Sequence, residues 1–269
     1  MLTKSGESGQ SVVVGAMLLL GLLVVFISWY QLTQIPVQNQ NAEAEFHENA
    51  RLSMLEFKDK GYDSINNGET NQMEINNKVE YPQWRLAGLQ DNLGSIVFED
   101  LGDNPVSFEG EEPTATDLTE NVSSIQYRTS YDEKDESTFI FEYGSIFELN
   151  PNGEDSIQGS QEFIRGDKIY LFGFSSDFRV LQSENPSFVI VPDEEFQEQS
   201  ISGETDEDDN TFDIELEFKT HVDFELWERL LLDEDNVVDM YESGDDSVVV
   251  VLDGDETYDV YTGSANVVL

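Results

Sequence analysis

The sequence has no cysteine, which excludes a disulfide framework, a thiolate zinc site and a cysteine nucleophile together. Basic residues are also scarce: 13 Lys and Arg stand against 57 Asp and Glu, a formal net charge of −44. Without basic groups to displace phosphate counterions, no nucleic acid is expected among the partners. Charge-driven binding to anionic lipid headgroups is disfavoured for the same reason. Histidine occurs only as His47 and His221, and neither has the neighbouring pattern from which a triad is built. There is no G-x-S-x-G elbow and no glycine loop that would cradle a phosphate before a helix. Carboxylate pairs of the kind used in glycoside hydrolysis are inevitable among so many acids, and nothing marks one pair out. The chain is therefore not expected to be an enzyme or to carry a cofactor.

What is present argues for a folded protein. An imbalance of −44 ordinarily opens a chain by self-repulsion, yet 38% of the residues are hydrophobic and 11% aromatic, with 17 Phe and 10 Tyr recurring in strand-like patterns. Molar salt reconciles the two, because it shrinks the Debye length to ~3 Å at 1 M. The seven lysines fit a halophilic surface. The competing explanation is an acidic surface that binds cations or basic partners.

One long uncharged run stands out. Val12 to Tyr30 is nineteen residues without a charge. As a helix it would span ~28 Å, close to the ~30 Å hydrocarbon core of a bilayer. Val12, Leu19 and Phe26 supply apolar surface, and Trp29 and Tyr30 fall where an interfacial aromatic belt would sit. A membrane segment over 12–35 is expected, with Pro36 bending or ending it. Lys4 precedes the run and acidic residues follow it, so residues 1–11 should be cytoplasmic and the remainder outside the cell. Ala42-Glu43-Ala44 has the form of a secretory cleavage site, but the apolar run is too long and too far upstream, which favours a retained anchor. Ser11 and Gly15 form a small-x-x-x-small pair that would allow self-assembly through the helix.

Beyond the anchor, Phe46, Ala50, Met54 and Phe57 follow the spacing of one apolar helical stripe, so residues 36–61 read as a stalk helix stopped by Gly61. That stripe must pack on the ectodomain or on copies of itself. From Met73 the period becomes two. Ile125–Tyr127 and Thr138–Glu142 alternate, and further β-like runs cover Ile169–Phe174, Phe212–Phe218 and Thr257–Tyr261, separated by turn signals including Asn67-Gly68 and Asp253-Gly254. The expected fold is mainly β: an antiparallel sandwich or barrel-like ectodomain with one short helix over Phe224–Leu232. The Val248–Leu252 run is apolar on both faces and should be a central strand. Residues 62–196 form the main β region, 197–210 an acidic loop acting as a hinge, and 211–269 a C-terminal β-α-β piece.

Two resemblances add to this reading. Ser8-Gly9-Gln10-Ser11 before the apolar run resembles the class III signal of archaeal type IV pilins and archaellins, which implies cleavage between Gly9 and Gln10. Ser8 and Val14 depart from that pattern, standing where a charged and an acidic residue are usual. Ile35-Pro36-Val37, Glu45-Phe46-His47-Glu48-Asn49, Tyr81-Pro82, Ile125-Gln126-Tyr127-Arg128 with Tyr131, Gly166-Asp167-Lys168-Ile169 and the Trp227 helix together resemble a haloarchaeal surface-protein family of uncharacterised activity. That likeness implies a pilin-like helix ahead of a β-rich ectodomain, and no reaction.

Smaller signals remain. Asn121-Val122-Ser123 is a sequon, making Asn121 a candidate glycosylation site. Asp206–Asp209 and Asp253–Glu256 offer hard oxygens, but neither matches a calcium loop. His47 reads as a metal ligand or, more plainly, as a solvated helix residue. Three functions follow: a pilin-like surface protein, an anchored module binding cations or glycans without filaments, and an anchored hydrolase. The lipid bilayer is the one partner common to all three; the sequence identifies no external one.

Overall fold

The computed structural model describes residues 7–81, 92–102, 105–109, 122–131, 136–193, 197–203, 212–244 and 246–269, with side chains from residue 12 onward. It is mainly β, preceded by one long helix.

That helix, α1 (Glu7–Asn67), is 61 residues long and passes through Pro36 without ending. At 1.5 Å per residue it measures ~90 Å. Its two halves differ. From Val12 to Trp29 every residue is exposed; from Asn39 onward one face is buried, through Glu43, Phe46, Ala50, Met54, Phe57 and Ile65. The expected stripe therefore packs on the ectodomain, and the segment is its docking helix rather than a free stalk.

Gly61 does not stop the helix. It lies in the buried face because a Cβ there would come within 2.5 Å of the Phe174 ring. The stop is Gly68, at φ 66°, whose N–H donates to the Ser64 carbonyl at 3.0 Å. A left-handed residue just past the last turn satisfies a carbonyl the helix would leave open, and glycine takes that conformation without a Cβ penalty.

The strands form three sheets. The first has the order β1 (Asn71–Glu74), β11 (Ser187–Pro192), β16 (Thr257–Val268), β9 (Lys168–Ser176), β8 (Ile164–Arg165), with β12 (Gln197–Ser202) also paired to β16. The second runs β10 (Val180–Leu181), β2 (Ser95–Asp100), β4 (Ser123–Arg128), β5 (Thr138–Glu142), β6 (Ser145–Leu149), β7 (Ser156–Gln158), all antiparallel. The third is β14 (Val237–Glu242), β15 (Ser247–Leu252), β13 (Ile214–Lys219), β3 (Val106–Glu109), which places the doubly apolar β15 centrally as its composition requires.

Three expectations change here. The first sheet is mixed, because β16 pairs β9 in parallel, Asp259 opposite Lys168 through Val267 opposite Ser176. Parallel neighbours need a long crossover, and the chain between Ser176 and Thr257 supplies it, with strands β13, β14 and β15 of the third sheet and the short helix α2 (Phe224–Leu231). Residues 197–202 are strand rather than loop, and 204–211 lie outside the described residues. Residues 211–269 are not confined to a C-terminal β-α-β part, since β16 lies between β9 and β11.

Two cores result. In β9, Phe172 and Phe174 join the core under α1, while Ile169 and Leu171 face the second; in β5, Phe139 and Phe141 face α1 and Ile140 the second. β9 and β5 are thus buried on both faces. Phe57 of α1 sits between them, 5.7 Å from Phe141 and 5.1 Å from Phe174 by ring centroid. The third sheet and α2 close the second core around Trp227, which packs edge-on to Phe147 at 4.6 Å and Phe218 at 4.9 Å. Each such side chain contributes about 1.5–3 kcal/mol by burial, with roughly 0.5–1.5 kcal/mol more per aromatic pair.

Candidate functional site

The residues expected to form an anchor lie on the exposed N-terminal part of α1. Val12, Leu19, Phe26 and Trp29 are exposed, and Tyr30 is half-buried, its hydroxyl accepting from Gln38 Nε2 at 3.5 Å. The helix is long and apolar enough to cross a membrane, and none of its most apolar stretch is buried within the chain. In water, that many exposed Leu, Val and Phe side chains would be an aggregation surface; in lipid their exposure is favourable. Gly9 and Gln10 fall in the first turns of α1, where side chains are not described, and Asn121 lies outside the described residues.

Above the anchor, α1 presents His47 to the second sheet. His47 Nε2 lies 3.2 Å from Glu148 Oε1 on β6, and His47 Nδ1 lies 3.1 Å from the Tyr131 hydroxyl. The neutral tautomer that satisfies both contacts carries its proton on Nε2, donates to Glu148 and accepts from Tyr131. Glu148 is nearly buried, and its other oxygen accepts from Gln158 Nε2 at 2.7 Å. Burial foremost raises the Tyr131 hydroxyl to about 12, so it stays protonated at neutral pH. Beside this chain Ser137 Oγ donates to Asn150 Oδ1 at 2.8 Å. These groups line an open groove of about 320 Å³ that continues along Pro151, Asn152 and Gly153. His47 is thus held by partners on the second sheet and beside it rather than solvated; among the described residues no three His, Asp or Glu side chains converge on a metal position.

The second histidine belongs to a different arrangement. Glu142 ends β5 with its side chain fully buried; it accepts from Thr220 Oγ1 at 2.5 Å and from the His221 backbone N–H at 3.2 Å. Thr220 Oγ1 in turn accepts from Trp227 Nε1 at 2.9 Å and Val222 N–H at 3.0 Å. His221 Nδ1 lies 3.5 Å from Glu142, and that hydrogen-bonded carboxylate raises the imidazole above its usual range. The bonds to Glu142 tie the second sheet to the turn before α2, and those to Thr220 hold that turn to itself and to α2. The arrangement is a structural staple, with His221 partly exposed at its rim.

Sequence reasoning singled out His47 and His221 but missed Tyr131, Glu148 and Glu142 as their partners. Tyr131 is 84 residues from His47, and no local pattern spans that distance. Comparison with protein-family models, curated proteins and solved structures finds no match to the chain.

Proposed function

We propose that the chain is a membrane-anchored, pilin-like surface protein of a halophilic archaeon, with a sandwich-like β ectodomain outside the cell and a structural or adhesive role without catalysis. The observation that carries this reading is the two-part α1. One unbroken helix has an exposed apolar N-terminal half and a C-terminal half docked into the first core. A helix built this way holds the ectodomain rigidly on its anchor, and it leaves the apolar half free to pack in lipid or against other copies. The charge of −44 supports the halophilic assignment, and Lys4 ahead of the apolar run supports an external ectodomain. Asn121 is its proposed glycan acceptor.

Three measurements on the native protein test this. Carbonate-washed membranes should retain it; release without detergent sinks the anchor. Mass spectrometry should find a mature N-terminus at Gln10, and electron microscopy in molar salt should show filaments. An intact Met1 with no filaments would instead leave a single-pass binding module, which shares the anchor and differs only in assembly.

A further inference from the structure

We propose that the groove beside His47 is a binding site for one neutral saccharide unit, a free sugar or the terminal residue of a surface glycan. Its volume, about 320 Å³, lies at the lower end of the ~300–1,000 Å³ typical of small-molecule sites, which suits a single sugar ring. The lining selects among ligand classes. An apolar ligand would offer nothing to the hydrogen-bonding capacity that Glu148 and Asn150 keep beyond the bonds they already make to His47, Gln158, Ser137 and Glu154. An anion would meet the Glu148 carboxylate in a chain of net charge −44, and among the described residues no Lys or Arg lines the groove. Among the described residues a metal ion lacks a third ligand, and His47 and Glu148 are already directed at each other.

A hydroxyl-rich neutral ligand fits what remains. Each sugar hydroxyl both donates and accepts, and the groove offers both kinds of group in fixed positions. Glu148 is held by Gln158 and accepts; Asn150 is oriented by Ser137 and by donating its amide to the Glu154 carbonyl at 3.3 Å. The Tyr131 oxygen keeps lone pairs when its proton points at His47. The rings of His47 and Tyr131, with centroids 6.5 Å apart and tilted 45°, form an apolar corner for the C–H face of a pyranose. Asn152 sits at the exposed mouth, where the rest of a glycan would leave. Because His47 comes from α1, the site is complete only with α1 docked. It stands ~25 Å along the helix from Tyr30, above the bilayer surface if the anchor is as proposed. The site itself rests on the groove alone and not on filament formation.

The test uses the full chain in nanodiscs in molar KCl. Glucose, mannose, galactose and N-acetylglucosamine serve as neutral probes and glucuronic acid as the anionic one, with binding read by saturation-transfer NMR and calorimetry. At least one neutral sugar should bind with a dissociation constant of about 1 mM, in the weak range expected of a single ring. Glucuronic acid should bind more weakly, and His47→Ala and Asn152→Ala should each weaken binding about tenfold with an unchanged circular dichroism spectrum. Asn152 lies in an exposed turn, so its variant remains informative if His47→Ala loosens α1. The site is refuted if no neutral sugar binds at tens of millimolar, if Asn152→Ala binds as the parent does, or if glucuronic acid binds equally well.

Discussion

Thr220 uses one hydroxyl three ways: it donates to the buried Glu142 and accepts from Trp227 Nε1 and the Val222 N–H. A hydroxyl cannot be replaced there by a methyl of the same size without orphaning partners on both sides. Thr220→Val should leave a buried carboxylate short of a donor and an indole N–H short of an acceptor. Unpaired buried groups cost about 1–3 kcal/mol each, more for a charge, so the expected loss is about 3 kcal/mol. Urea unfolding in molar KCl should show a lower midpoint at unchanged slope, with Thr220→Ser recovering most of the loss. An unchanged midpoint would mean that the staple carries no stability. The same residue scale shows why the groove was hard to read. His47 lies within a run of acidic residues, as a solvated side chain would, and only the docking of α1 brings it to Glu148 and Tyr131.

At the scale of elements, α1 sets its own propensity against its packing. Glycine inside a helix costs about 1 kcal/mol relative to alanine, so by propensity alone Gly61→Ala should stabilise. Phe174 reverses the sign. Its ring would lie 2.5 Å from the new methyl, and it is itself held by Phe57 at 5.1 Å and Phe141 at 5.5 Å. Overpacking of this kind costs about 1–3 kcal/mol, so Gly61→Ala should lower the urea midpoint. A higher midpoint would show that α1 can draw back from the first sheet at no cost. Gly61 also marks the limit of sequence reading: a glycine after a helical stripe looks like a stop, and only the opposing ring explains one kept inside. Period-two alternation made β5 and β13 legible, an unbroken apolar run did so for β15, and the 46, 50, 54, 57 stripe located the docked face of α1. The twelve-residue β16 was legible only over Thr257–Tyr261, because Gly263 breaks the pattern where a side chain would meet Ile65. Its parallel pairing with β9 depends on a crossover that periodicity cannot express.

For the whole molecule, the decisive quantity is charge that no pairing neutralises. With 13 basic residues against 57 acidic ones, most carboxylates have no cation to pair with, and exposed pairs such as Arg51–Glu48 and Lys60–Glu56 are worth under about 1 kcal/mol each. The repulsion is therefore collective and must be met by mobile ions. Screening length falls from ~10 Å at 0.1 M salt to ~3 Å at 1 M, which is the difference between a carboxylate sensing many neighbours and sensing almost none. The full chain in detergent should lose the buried Trp227 fluorescence signature as KCl is lowered from molar to about 0.1 M, while the helical signal of the anchor persists. Sucrose separates this cause from its rival. It strengthens apolar burial by exclusion but screens nothing, so it should fail to restore Trp227 where KCl succeeds. Restoration by sucrose alone would mean that the two aromatic cores, and not the charge, limit stability. Retention of the fold at ~0.1 M salt without either additive would remove the physical basis for assigning the chain to a brine.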